Sequence, residues 1–220
     1  MGGYKKKSLR KVAYDYMKEQ ILYCGWVPGH VISERDLCEE LGVSKTPIRE
    51  AIMDLSNEKY VLINPRKSTT VSKISLRDAI EIIEARLVNE TYIFKTLGYP
   101  ISIAQRNTLD MLRTEIESAA LSTDKTDMRR FLALDYKFHQ TISQMSKNSC
   151  LSEICAQLFE RSIRIWYIMF INTEKRIAEA FKEHVKIIDY ILNADAVNAE
   201  KELINHINAF YNGLSGFERM

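Results

Sequence analysis

The stretch SERDLCEELGVSKTPIREAI, residues 33–52, decides the fold of the first third of the chain. Ser33 places a hydroxyl acceptor at a helix start with a carboxylate three residues later, and Gly42 marks the end of that helix. Ser44 begins the next helix, whose inward positions recur at helical spacing: Ile48, Ala51, Ile52 and Leu55. Two helices joined by a tight turn predict a helix-turn-helix.

The sequence on either side of this stretch completes the first domain. Residues 8–24 predict a helix, which the turn-forming GWVPG at residues 25–29 ends. The β-rich runs YVLIN and TTVSKI, at residues 60–64 and 69–74, flank PRKS and predict a hairpin. Residues 1–73 are therefore expected to form a winged helix-turn-helix.

In a winged helix-turn-helix, the position of a polar residue in the fold predicts which part of double-stranded DNA it contacts. A recognition helix enters the major groove with its N-terminal residues leading, and the helix dipole there favours phosphate. Residues 1–73 also hold 13 Lys and Arg against 9 Asp and Glu, whereas residues 74–220 hold 18 against 20. The alternative is that these are solvated charges on ordinary helices. The candidate DNA contacts are Arg35, Ser44, Lys45, Thr46, Arg49, and Arg66 and Lys67 at the hairpin tip.

Residues 74–220 predict a second, all-helical domain, so the whole chain is expected to be mainly α. Ile80, Ile83, Leu87 and Ile93 indicate an apolar stripe on its first helix. Further helices are predicted at about residues 101–121, 126–146, 149–171, 174–193 and 195–214. Polar segments separate them, and about 140 residues suffice for a helical bundle with its own core.

Composition narrows the class of protein. The 220 residues are 46% hydrophobic with only 8 Gly and 4 Pro, which favours long helices and few strands. The longest apolar run, residues 165–171, is too short to span a bilayer, and no apolar stretch predicts a secretory signal. The four cysteines have no CxxC spacing, as expected of reduced thiols. We therefore expect a cytoplasmic protein with no membrane partner.

The chemistry of the second domain lies in its histidines. Asp135 and His139 are four residues apart on a predicted helix, so their side chains share one face. His184 and His206 each lie on a later helix, from which both can point into the bundle centre. One carboxylate and three imidazoles suit a divalent zinc, nickel, manganese or iron ion. The alternative is that these are hydrogen-bonded core histidines.

The first domain resembles the GntR family of bacterial transcriptional regulators. The shared elements are the GWVPG turn, the SERDL helix start, LGVSKTPIREA over residues 41–51, and the wing. The chain departs from the family pattern at Lys45, Lys59 and Ser68, where the family usually has Arg, Gly and Gly. Lysine at residue 45 replaces a bidentate guanidinium with a point charge.

The second domain resembles the FCD-type effector domain of the FadR-like branch of that family. The matching segments are DYKFH, KEHVKII and LINHI. This resemblance implies that Asp135, His139, His184 and His206 hold a divalent metal, with zinc or nickel favoured, and leave two positions for a carboxylate effector. It also implies an effector contact for Arg86 in EARLVNE, since guanidinium pairs with carboxylate. Arg164 is a second candidate for that role.

These observations favour a DNA-binding transcriptional regulator and not an enzyme. It would bind a two-fold symmetric operator as a homodimer, and a small organic acid at the metal would change its operator affinity. Two alternatives stay open. One is a metal-dependent hydrolase, although no catalytic motif accompanies the ligand set. The other is a regulator whose metal is purely structural.

Overall fold

The computed structural model describes residues 8–65, 67–121, 128–170 and 174–214. The chain divides into two compact units, Met1–Ile74 and Ser75–Met220. The described part of the first unit contains three helices and a small sheet, and that of the second contains helices alone. The predicted mainly α fold class is confirmed.

Three helices form most of the first unit: α1 (Leu9–Leu22), α2 (Glu34–Leu41) and α3 (Lys45–Asn57). The Ser33 hydroxyl caps α2 by accepting a hydrogen bond from the backbone N–H of Asp36, and Gly42 ends α2 in the left-handed conformation with φ of 64°. Ser44 occupies the cap position of α3. The predicted inward face of α3 is buried, and α3 packs against α1 and α2.

The sheet contains one strand more than the sequence predicts. Strands β2 (Val61–Asn64) and β3 (Ser68–Val71) form the expected antiparallel hairpin, with Val61 opposite Val71. A third strand, β1 (Val31–Ile32), pairs with the other edge of β3. Two residues are too short to show the alternation by which a strand is identified. Arg66, predicted at the hairpin tip, lies outside the described residues.

Lys59 ends α3 in a backbone conformation that usually belongs to glycine. Its φ is 65°, and its N–H donates to the carbonyl of Ser56 while the N–H of Tyr60 donates to that of Leu55. This is the Schellman motif, whose left-handed position favours Gly. The glycine typical of the resembled family therefore has a structural reason. A lysine here carries a conformational cost of about 1–2 kcal/mol.

Six helices form the second unit: α4 (Leu76–Thr96), α5 (Ile103–Ala120), α6 (Met128–Met145), α7 (Ser149–Phe170), α8 (Glu174–Leu192) and α9 (Ala196–Gly213). Helix α4 packs against α7 and α9, α6 packs against α7, and α8 packs against α5 and α9. Capping boxes at Ser75 and Ser102 begin α4 and α5. Over the described residues, no helix combines the length and apolar character that crossing a membrane requires.

The buried face of α4 differs from the predicted stripe. Ile83 and Ile93 are buried as expected, but Ile80 and Leu87 are only half-buried. The buried stripe instead includes Arg86 and Glu90, which stand four residues apart. The prediction was wrong because it followed apolar residues alone, whereas this helix places an ion pair in the interior.

Candidate metal centre

Three helices bring Asp135, His139, His184 and His206, here called the Asp–His cluster, into the interior of the second unit. Asp135 and His139 lie one turn apart on α6, while His184 comes from α8 and His206 from α9. All four residues are buried, and one potential ligand atom from each lies within 4.8 Å of the others. The residues that the sequence nominated as metal ligands are therefore close together.

The three histidines each turn their Nε2 atom toward the interior of the cluster. His184 Nε2 lies 3.1 Å from Asp135 Oδ1 and 3.2 Å from His206 Nε2. His139 Nε2 lies 3.7 Å from Asp135 Oδ1. Three imidazole nitrogens and a carboxylate oxygen thus face one point, which is the donor set that zinc and other first-row divalent metals prefer.

The Asp135 carboxylate lacks the hydrogen bonds that a buried charge normally has. Both of its oxygens are inaccessible to solvent, and neither makes a hydrogen bond of acceptable geometry among the described residues, although His184 approaches to 3.1 Å. Burying a carboxylate without compensation is costly. A bound cation would provide the missing compensation, so the residues present fit a metal ion.

Two glutamates orient histidines of the cluster from outside it. His139 Nδ1 lies 2.5 Å from Glu90 Oε2, and His206 Nδ1 lies 2.7 Å from Glu183 Oε2. A carboxylate that accepts the Nδ1–H proton leaves Nε2 unprotonated, which is the state in which that nitrogen can bind a metal. His184 lacks such a carboxylate among the described residues, and its ring stacks on Phe138 with centroids 4.1 Å apart.

The surroundings keep the carboxylates charged and two of the imidazoles neutral. Burial alone would raise the pKa of Asp135, but the hydrogen-bonding contact with His184 and electrostatic interaction with the nearby His139 ring lower it to about 2. Burial lowers the pKa of His184, and burial together with repulsion from His184 lowers the pKa of His206 to about 3. Neutral imidazole is the form that binds a metal.

The two outer glutamates are also held as carboxylates. Burial opposes ionisation of Glu90, but the charge of Arg86 and the contact with His139 keep its pKa well below the ordinary value. Burial likewise opposes ionisation of Glu183, but hydrogen bonds from His206 and Arg176 lower its pKa to about 2. Both glutamates are therefore ionised acceptors at neutral pH.

Arg86 lies against the Asp–His cluster. Its Nε donates to Glu90 Oε1 at 2.7 Å, and its Nη2 lies 3.2 Å from His139 Nε2. The guanidinium also packs over the Phe159 ring, 4.5 Å from its centroid. Arg164, the other predicted effector contact, is buried on α7. Its role in effector binding stays a prediction.

Sequence reasoning missed Glu90 and Glu183 as partners of the histidines. Glu90 was visible as the acidic residue four positions after Arg86, a spacing at which a helix forms ion pairs. Glu183 precedes His184 in sequence but orients His206, and Arg176 holds it through two hydrogen bonds of 2.7 Å. Only the packing of α8 on α9 reveals that contact.

The predicted DNA contacts of the first unit are exposed, apart from Arg66, which is not described. Lys45 and Thr46 lie in the first turn of α3, and Arg49 follows one turn later. Arg49 Nε donates to Glu34 Oε2 at 2.9 Å. Arg35 on α2 pairs with Asp36, and Lys67 lies in the hairpin loop.

Comparison with protein families covers both units. Residues 9–71 match the model described as "Bacterial regulatory proteins, gntR family", and residues 96–209 match that of the FCD domain. The two models together cover most of the chain, and the FCD match alone covers about half of it.

Individual relatives agree with these matches. The uncharacterized HTH-type transcriptional regulator YdhC of Bacillus subtilis is 23% identical over 196 residues, which are 89% of this chain and 86% of the relative. The gluconate operon transcriptional repressor of Bacillus licheniformis is 29% identical over 165 residues, covering 73% of this chain and 63% of the repressor. Both relatives are transcriptional regulators by name.

A solved structure shares the fold. The structure of E. coli McbR/YncC matches with a TM-score of 0.77 at 20% identity, and the match covers 97% of this chain and 100% of that one. The family matches agree with the predicted resemblance and with a regulator, not an enzyme. The chain belongs to the GntR family of bacterial regulatory proteins and is a DNA-binding transcriptional regulator with an FCD domain.

Proposed function

We propose that this regulator binds a divalent metal ion through Asp135, His139, His184 and His206 and senses a small organic acid beside it. The observation that carries the proposal is the buried Asp135 carboxylate. Its oxygens lack hydrogen bonds among the described residues, while imidazole nitrogens from three helices face it. Zinc and nickel are the favoured ions for this donor set. Elemental analysis of the purified protein, expected to give one ion per chain, tests the site.

The organic acid would bind between the metal ion and Arg86. When bound, the ion supplies positive charge and open coordination positions for a carboxylate. Arg86 keeps Nη2 directed toward the cluster because Glu90 holds its Nε, so the guanidinium is already oriented for a second carboxylate oxygen. Arg164 is the second candidate for this contact.

DNA binding is assigned to the exposed N-terminal end of α3. Ser44, Lys45, Thr46 and Arg49 would meet the major groove, Arg35 the phosphate backbone, and Arg66 and Lys67 the adjacent minor groove. The ion pair of Arg49 with Glu34 is exposed, so exchanging it for a contact with DNA costs little. We propose a cytoplasmic homodimer on a two-fold symmetric operator, with the acid changing operator affinity.

The Arg49→Ala variant tests the recognition helix. Specific operator affinity is expected to fall by roughly 1–3 kcal/mol if Arg49 contacts a base edge. The measurement is fluorescence anisotropy at fixed salt, on an operator selected from random DNA. Arg77→Ala is the matched control, since Arg77 is also exposed and ion-paired but lies on α4. Equal affinities of the two variants would remove Arg49 from the interface.

The low pKa of His206 predicts how stability depends on pH. Below about pH 6.5 the histidine takes up a proton in the unfolded chain, while the folded form stays neutral down to about pH 3. The unfolded state then binds more protons, so the unfolding free energy of metal-free protein falls as pH drops, by about 1.4 kcal/mol per pH unit. Urea denaturation between pH 7 and 5 measures this slope. A His206→Gln variant should show a smaller slope, and an equal slope would contradict the assignment.

A further inference from the structure

Arg86 and the proposed metal ion would use the same atom of His139. The Arg86 Nη2 atom lies 3.2 Å from His139 Nε2. A guanidinium has only N–H donors, so His139 accepts this hydrogen bond through the lone pair of Nε2. That lone pair is also what His139 would give to a metal ion. The hydrogen bond and the metal ligation therefore exclude each other.

Glu90 aligns both partners of this hydrogen bond. Its Oε2 lies 2.5 Å from His139 Nδ1, and its Oε1 accepts a hydrogen bond of 2.7 Å from Arg86 Nε. When the Nδ1–H of His139 donates to Glu90, the other ring nitrogen is unprotonated and can accept. One carboxylate thus fixes the acceptor on the ring and the direction of the donor.

The Arg86 guanidinium is held on its other sides as well. Its side chain is only 1% exposed, and its Nη1 lies 3.4 Å from Ser162 Oγ. Its Cζ lies 4.5 Å from the centroid of the Phe159 ring and 5.7 Å from that of Trp166. We therefore expect Arg86 to stay beside the cluster when an ion binds.

An ion on His139 Nε2 would deprive an N–H group of Arg86 of its acceptor. A buried donor that loses its acceptor incurs its full desolvation penalty, so the loss opposes metal binding. A carboxylate oxygen of an acid bound at the ion would be a new acceptor for the same N–H group, in a charge-assisted hydrogen bond. The acid would thus remove the penalty that the ion creates.

We infer that Arg86 competes with the metal ion for His139, and that the acid relieves this competition by accepting the hydrogen bond of Arg86. The inference rests on the proposed function and adds a regulation of the same site, since the ion is held less tightly until the acid binds. By linkage, the acid raises the affinity for metal by the same factor as the metal raises the affinity for acid.

The zinc affinity of Arg86→Lys tests the competition. Lysine keeps a positive charge beside Glu90 but lacks the planar fork that contacts Glu90 and His139 together. Without any acid, this variant is expected to bind zinc about 5- to 10-fold more tightly than wild type, which corresponds to one hydrogen bond. Competition with a chromophoric chelator measures the affinity. A zinc affinity equal to or below that of wild type would overturn the inference.

Arg176→Lys is the matched comparison. Arg176 donates two hydrogen bonds of 2.7 Å to Glu183, which lies 2.7 Å from His206 Nδ1. Arg176 therefore also supports a glutamate behind a cluster histidine, but both of its Nη atoms donate to that glutamate. This variant should bind zinc no more tightly than wild type. A gain equal to that of Arg86→Lys would mean that the gain does not come from His139, and would overturn the inference.

Acetate, as the simplest carboxylate probe, tests the relief by the acid. The titrations are repeated with acetate in large excess, whose binding to free zinc affects all proteins alike. The advantage of Arg86→Lys over wild type is expected to disappear, because acetate then accepts the hydrogen bond of Arg86 in wild type. An undiminished advantage would overturn the relief of the competition.

Wild-type protein provides a check that needs no variant. In metal-free protein with labelled nitrogen, NMR is expected to show a scalar coupling across the hydrogen bond from Arg86 Nη2 to His139 Nε2, and zinc should abolish it. A coupling that zinc leaves unchanged, or none in metal-free protein, would overturn the inference. If wild type binds no zinc, the proposed metal site fails as well. If wild type and Arg86→Lys bind zinc equally, only the competition fails.

Discussion

Metal-free protein supplied with zinc or nickel at a thousand times the dissociation constant is expected to gain about 4 kcal/mol in unfolding free energy. The reason is that the Asp–His cluster exists only in the folded chain, where residues from three helices meet. Asp135→Asn keeps the shape of the side chain but removes its charge. This variant should lose most of the metal-induced gain while its metal-free form stays folded.

Asp189→Asn is the control for this substitution. Asp189 lies on α8 but is partly exposed and pairs with Arg113, so its change should leave the metal-induced gain unaltered. Chemical denaturation with and without the ion measures both variants. If Asp135→Asn gains as much stability from metal as wild type, the ion binds elsewhere.

Arg86→Lys is expected to weaken binding of a carboxylate effector by roughly 10- to 100-fold while the protein retains its metal. A charged hydrogen bond contributes about 1.5–3 kcal/mol, and lysine cannot reproduce the two parallel hydrogen bonds of guanidinium. Truncation to alanine is a poor test, because it would leave Glu90 buried without its ion pair, which destabilises a fold strongly. Lysine keeps the charge beside Glu90.

Calorimetric titration of metal-loaded wild type and Arg86→Lys with simple carboxylates measures this effect. Arg113→Lys is the control, since Arg113 also pairs with a carboxylate but lies on α5. Acid binding of equal strength in wild type and Arg86→Lys would place the effector away from Arg86. Loss of metal from Arg86→Lys would instead make Arg86 part of the support of the cluster.

Local signals in the sequence were sufficient to predict most of the fold. The cap at Ser33 and the left-handed Gly42 fix the limits of α2 through contacts within a few residues. The same holds for the capping box at Ser75 that begins α4. Strand β1 escaped prediction because its pairing with β3 joins residues far apart in sequence.

In the candidate site, too, contacts between residues close in sequence could be predicted and contacts between distant helices could not. Asp135 and His139 could be paired from their spacing on one helix. Their grouping with His184 and His206 was one of two alternatives left open by the residues, and family resemblance favoured it. The carboxylates that orient the rings depend on packing between helices. Glu183 reaches His206 across α8 and α9, and Glu90 reaches His139 across α4 and α6, and no local pattern encodes either contact.

Control of DNA binding by an acid bound at the metal is tested by comparing metal-loaded with metal-free protein. Operator affinity is measured by fluorescence anisotropy with and without the carboxylate that binds most tightly, for metal-loaded protein and for protein treated with chelator. We predict that the acid changes operator affinity by a factor of about 5–150 in metal-loaded protein and leaves it unchanged in metal-free protein. An equal change in both forms would contradict control through the metal site, because the effector would then act without the metal.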